Sequence, residues 1–147
     1  MPNPLLPTVD PVRAERRRAA VLFIVTCASV FLVRFVGWQP ELDVSFGERL
    51  VSSALFSVAL MGILFAHEMG HFVAARVHAY RISWPFFLPF PYFVGTLGAF
   101  IRFTDKPPHR KGLVEMAAFG PISGFVAIGI FLILWMMLFE PVPPGNG

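Results

Sequence analysis

Charge is scarce in this chain. Only 14% of its 147 residues are Asp, Glu, Lys or Arg, against roughly 25% in a soluble domain. Hydrophobic residues make up 56%, and the mean hydropathy is +0.67. This excludes an ordinary soluble domain and places the chain among membrane proteins. Cysteine is nearly absent: the single Cys27 sits in an apolar run, which excludes an intrachain disulfide and leaves it a packing role. Aspartate is limited to Asp10, Asp43 and Asp105. A small-residue cleavage site after the first apolar run is also missing, so the start reads as a signal anchor and not as a cleaved signal peptide. The formal charge of +3 does not imply a nucleic-acid partner. The basic residues gather at the edges of apolar runs, where membrane orientation and anionic lipids account for them.

Three apolar runs predict an all-α membrane protein with about three transmembrane helices, over 19–38, 50–77 and 113–139. Arg34 interrupts the first and is expected to snorkel toward the interface beside Trp38. Residues 1–18, with Pro2, Pro4, Pro7 and Pro11 ahead of Arg16-Arg17-Arg18, predict a disordered basic tail. Residues 140–147 read as a loop leading onward. The tail carries four Arg and the 76–111 segment six Lys or Arg, whereas the 39–49 connection has one. The positive-inside rule therefore puts the N-terminus and the 76–112 segment in the cytoplasm.

The second run contains His67-Glu68-Met69-Gly70-His71, which reads His-Glu-x-x-His. Two His at i and i+4 project from one helical face, so both imidazoles can reach one Zn²⁺. Glu68, beside the metal, is then a candidate general base. Random placement of 4 His and 6 Glu in 147 residues yields this pattern in about 0.4% of chains of this composition. The alternative is a buried His pair without metal, and the cost of three ionisable residues at membrane depth weighs against it. The site should lie roughly 10–15 Å from the helix end at Val77.

Between the second and third runs, residues 82–104 are strongly apolar, yet Pro85, Pro89 and Pro91 forbid a regular helix. Gly95 and Gly98 flank a possible turn, and 97–103 is rich in strand-forming residues. Two placements are open: a re-entrant β-hairpin dipping toward the metal, or an interfacial loop anchored by Trp84, Tyr92 and the Phe residues. In the third run Gly120-Pro121-x-x-Gly124 reads as an ordinary transmembrane packing motif, with small residues facing those of the second span.

Together these residues resemble the site-2 protease family of intramembrane zinc metalloproteases, peptidase family M50. His67-Glu68-Met69-Gly70-His71 is similar to its first metal motif, Gly95 to Ile101 to its Gly-rich hairpin segment, and Ala118-Phe119-Gly120-Pro121 to its Gly-Pro helix. The resemblance covers about residues 50–139. It implies one Zn²⁺ per active site held by His67 and His71, Glu68 as catalytic base, and a substrate-binding role for Gly95 and Gly98. It also implies cleavage of a membrane-spanning protein substrate within the bilayer, as in regulated intramembrane proteolysis, and a bacterial cytoplasmic membrane as the location. Oligomeric state is not set by the sequence.

The family's third zinc ligand is an Asp in a later Asp-Gly motif, and no Asp-Gly occurs here. That ligand is expected beyond residue 147, so the chain reads as the front part of a longer enzyme, inactive alone. His78 lies about 10.5 Å along the helix from His71, too far to share one ion. Glu115 is sterically conceivable, while Asp105 and His109 fall in a basic loop. The competing function is a non-catalytic homologue that binds partners or carries metal. The topology is testable by thiol labelling in a Cys27→Ser background. A cysteine placed at His109 should react with membrane-impermeant reagent only from the cytoplasmic side, and labelling from the other side would overturn the assignment.

Overall fold

The computed structural model describes residues 10–37, 44–104 and 110–139. It comprises α1 (Pro11–Val36), α2 (Phe46–Val77), β1 (Phe86–Pro89), β2 (Thr96–Phe100) and α3 (Arg110–Leu138). All three helices are long and apolar enough to cross a bilayer. The chain is thus a multi-pass membrane protein with a small antiparallel hairpin between its second and third spans.

Local chemistry moves the helix starts ahead of the apolar runs. Asp10 caps α1 by accepting from the Val12 N–H at 3.1 Å, and Pro11 occupies the first turn, where its missing N–H costs nothing. Residues 11–18, expected in a disordered tail, are therefore helical; residues 1–9 lie outside the described part, as do Trp38, Asp105, His109 and the 140–147 loop. α2 begins at Phe46 because Ser45 and Glu48 cap it reciprocally. Ser45 Oγ accepts from the Glu48 N–H at 3.3 Å, and Glu48 Oε2 accepts from the Ser45 N–H at 2.9 Å.

α2 is the central element, flanked on one side by α1 and the hairpin and on the other by α3. Phe23 meets Phe65 edge-on at 5.6 Å, Val30 packs with Met61, and the Arg34 guanidinium lies 5.4 Å from the Phe56 ring centre. These pairings run in opposite sequence directions, so α1 and α2 are antiparallel. In hydrocarbon no helix gains by hiding leucine from lipid, so association rests on close packing and paired polar groups. Gly62 faces the Phe131 ring and Gly70 faces Phe119 and Ser123. Two buried hydroxyls return to their own helix: Thr26 donates to the Leu22 carbonyl and Ser57 to that of Ser53, both at 2.7 Å. The outward faces stay apolar; Phe125 and Met137 are 73% and 78% exposed, a surface suited to lipid.

The hairpin pairs Phe86 with Phe100, Phe87 with Ala99 and Leu88 with Gly98, and a bulge before Pro89 shifts the last pair to Pro89 and Thr96. Gly98 therefore lies inside β2 and does not flank the turn. Gly95 does close it: the Phe90 N–H donates to the Gly95 carbonyl at 3.1 Å, and the Gly95 N–H to that of Tyr92 at 3.0 Å. At the base of the hairpin the Trp84 N–H donates to Glu15 Oε1 at 2.8 Å. At its tip Gly95 abuts the α1 backbone at Ser29 and Val30. Glu15 and Val30 are fifteen residues apart on α1, about 22 Å along the axis. Between these points Phe87, 1% exposed, wedges against Val30 and Met61. The hairpin thus runs alongside much of a helix long enough to span a bilayer, as the re-entrant placement requires. Gly95 has φ +92° and no room for a methyl beside Val30, whereas Gly98 has φ +97° and open space. Gly95→Ala should destabilise the protein by about 2–4 kcal/mol and Gly98→Ala by only about 1 kcal/mol, as read by thermal unfolding in detergent.

Candidate metal centre

The i, i+4 spacing on α2 sets His67 and His71 one above the other. Their Nε2 atoms are 3.1 Å apart, with ring centres at 4.8 Å and planes inclined by 77°. His71 Nδ1 lies 2.8 Å from the Met116 carbonyl oxygen on α3. A carbonyl only accepts, so Nδ1 is the donor and Nε2 is left with its lone pair for another partner. Two nitrogens each about 2.1 Å from one zinc ion stand roughly 3.0–3.4 Å apart for angles between 90° and tetrahedral. The observed 3.1 Å fits, and so does the donor chemistry. Glu68, 8% exposed, lines the same cleft of about 500 Å³. Among the described residues, no three His, Cys, Asp or Glu side chains are grouped to hold a metal ion.

α3 makes room for these rings. A methyl at Gly120 would overlap the His71 imidazole, and one at Gly124 would come within 3.2 Å of His67 Nδ1. The glycines expected to serve ordinary helix packing thus lie directly against the two imidazoles. The signal was available in the sequence: two antiparallel helices carrying His67/His71 and Gly120/Gly124 at the same four-residue spacing can place each glycine opposite one ring. Beside them the Ser123 hydroxyl lies 2.8 Å from the Ala66 carbonyl of α2 and 2.8 and 2.9 Å from the carbonyls of Phe119 and Gly120. Its single proton serves one of these at a time. Pro121 removes the N–H that the Ala117 carbonyl would otherwise receive, and Ala117 is part of the cleft wall. Met116, whose backbone orients His71, carries no sequence signal because a carbonyl is common to every residue.

The remaining expected site residues separate. Neither Gly95 nor Gly98 lines the cleft; Gly95 is buried against α1, so its glycine serves the contact between hairpin and helix. The hairpin reaches the cleft instead through Ala99 and Phe100 and, just beyond β2, Ile101 and Phe103. Glu115 is engaged elsewhere: its Oε2 is 2.7 Å from His78 Nε2 and its Oε1 3.9 Å from Lys111 Nζ. His78 caps the C-terminus of α2. Gly120→Ala should destabilise the protein by about 1–3 kcal/mol by driving a methyl into His71. Gly129→Ala, where nothing lies within 4 Å, should leave thermal unfolding nearly unchanged.

Residues 55–143 match the family model described as Peptidase family M50. A probable chloroplastic zinc metalloprotease, EGY2, of Oryza sativa subsp. indica is 33% identical over 97 residues, covering 66% of this chain and 16% of that protein. EGY2 of Arabidopsis thaliana is 35% identical over 94 residues, covering 64% of this chain and 16% of that protein. EGY1 of Arabidopsis thaliana, also named a probable chloroplastic zinc metalloprotease, is 35% identical over 100 residues, covering 63% and 18% respectively. The chain thus spans about one sixth of the length of these relatives. No solved structure matches it.

Proposed function

Because this chain belongs to peptidase family M50, we propose that it forms the membrane-embedded catalytic front of a zinc-dependent endopeptidase that cleaves membrane-spanning or membrane-anchored proteins. The observation that carries the reading is the pair of Nε2 atoms 3.1 Å apart in a cleft shared with a buried glutamate. His67 and His71 are the metal ligands. The third protein ligand, an Asp by resemblance, comes from outside the described residues. When bound, zinc supplies a Lewis acid that activates water and polarises a carbonyl group.

The chain's own residues do the rest. The His71 Nδ1–H, donating to Met116, fixes that ring so that its Nε2 faces His67. The Glu68 carboxylate takes a proton from the attacking water and passes it to the departing amide nitrogen. A transmembrane substrate hides its amides in helical hydrogen bonds, so it must unwind before attack. β2 has a strand partner on one edge only among the described residues, and Ala99 and Phe100 reach the cleft. An unwound segment can pair along the other edge by strand addition. By charge bias, the cleft faces the cytoplasmic half of the membrane.

A non-catalytic, metal-carrying homologue is the second reading, favoured by the finding that, among the described residues, only two imidazoles and the Glu68 carboxylate line the cleft. One experiment on the complete protein separates them. Glu68→Gln should retain stoichiometric zinc by atomic absorption yet lower cleavage of a reconstituted substrate by about 10²–10⁴-fold. His67→Ala and His71→Ala should lose both. Undiminished cleavage by Glu68→Gln would remove the base, and absence of any cleavage by the wild type would favour the carrier.

A further inference from the structure

A second concave surface lies at the opposite flank of the hairpin, between the first turns of α1 and the start of β1, with a volume of about 710 Å³. Its α1 wall is a single helical face. At 100° per residue, Arg13, Arg17, Val21, Ala14, Arg18 and Leu22 fall within about 180°, while Arg16 points about 60° off its edge. The face is graded along the helix axis. The three arginines occupy its outer turns, Val21 and Leu22 follow about 12–14 Å deeper than Arg13, and Phe86 forms the facing wall.

Arg13, Arg17 and Arg18 are exposed, and among the described residues no ion pair ties them to a carboxylate. Glu15, the carboxylate next to them in sequence, accepts from the Trp84 N–H instead. The groove therefore offers concentrated positive charge at one end and a dry wall at the other, in the order in which a phospholipid presents its phosphate and its chains. Guanidinium groups meet phosphate oxygens in pairs of parallel hydrogen bonds.

We propose that this groove binds one anionic glycerophospholipid, its phosphate on Arg13, Arg17 and Arg18 and its upper acyl chain along Val21, Leu22 and Phe86. A soluble phosphorylated ligand would leave the apolar wall unused, and a choline headgroup would bring a cation against the arginines. The site is independent of the metal-centre reading, but it adjoins the same hairpin. Phe86 stacks on Phe100 at 5.7 Å, and Phe100 lines the histidine cleft, so a bound lipid rests on the back of the cleft wall.

The test compares two variants with the same net charge, Arg17→Gln within the face and Arg16→Gln off it. Full-length protein in detergent is titrated with palmitoyl-oleoyl phosphatidylglycerol, the matching phosphatidylcholine, or inorganic phosphate, and adducts are counted by native mass spectrometry. Phosphatidylglycerol should bind at one site, at least fivefold more tightly than phosphatidylcholine, and inorganic phosphate should not displace it. Arg17→Gln should weaken that binding about fivefold, and Arg16→Gln less than twofold, with circular dichroism unchanged in both. Should Arg17→Gln fail to fold, Arg18→Gln gives the same comparison. Equal binding of the two lipids, equal losses in the two variants, or displacement by millimolar phosphate would each overturn the proposal.

Discussion

Two imidazoles can share a point inside a pair of membrane helices only where the opposing helix leaves the space empty. Gly120 and Gly124 supply that space, and the rest of the centre depends on it. With any side chain at Gly120, α3 would stand off and the Met116 carbonyl would move away from His71 Nδ1, a contact now at 2.8 Å. That hydrogen bond is what turns His71 Nε2 toward His67. The Ser123 bridge to Ala66 ties the helices together beside the motif. Packing, tautomer and ligand direction thus follow from one close approach, which in lipid is itself what holds helices together.

The hairpin obeys a related rule. Backbone that is neither helical nor in a closed sheet can lie at membrane depth only if protein or a wet cavity satisfies it. Here one flank is packed on α1 and the other opens to the cleft of His67, Glu68 and His71. Glu15 secures the base through the Trp84 amide, and Gly95 allows the tip to meet the helix backbone. A strand placed this way brings an edge that is unpaired among the described residues toward the cleft, with β1 on its other side.

Much of this was legible in the sequence, because hydropathy and the i, i+4 histidine spacing are local properties. The three spans, the intervening hairpin and the pairing of His67 with His71 all follow from them. The helix starts were legible too: Asp10-Pro11 and Ser45-x-x-Glu48 are capping signals, but hydropathy windows ignore polar residues and so put the starts too late. Gly95 and Gly98 misled because both need positive φ, and that requirement cannot distinguish a turn against a helix from a position within a strand. The contact of Gly120 with His71 depends on the register of two helices 49 residues apart in sequence (120 − 71), which periodicity along one helix does not encode. The pairing of Glu115 with His78, which draws it away from the histidine pair, is likewise a matter of register.

The hairpin is seated on two helices at once. Gly95 closes on the backbone of Val30, and Phe87 fills a gap whose walls are Val30 and Met61. Those walls exist only once α1 and α2 stand side by side in the bilayer. The packed face of the hairpin and its tip contact are therefore available only against the assembled pair of helices. The seat of the hairpin is thus a property of the α1–α2 pair and of neither helix alone.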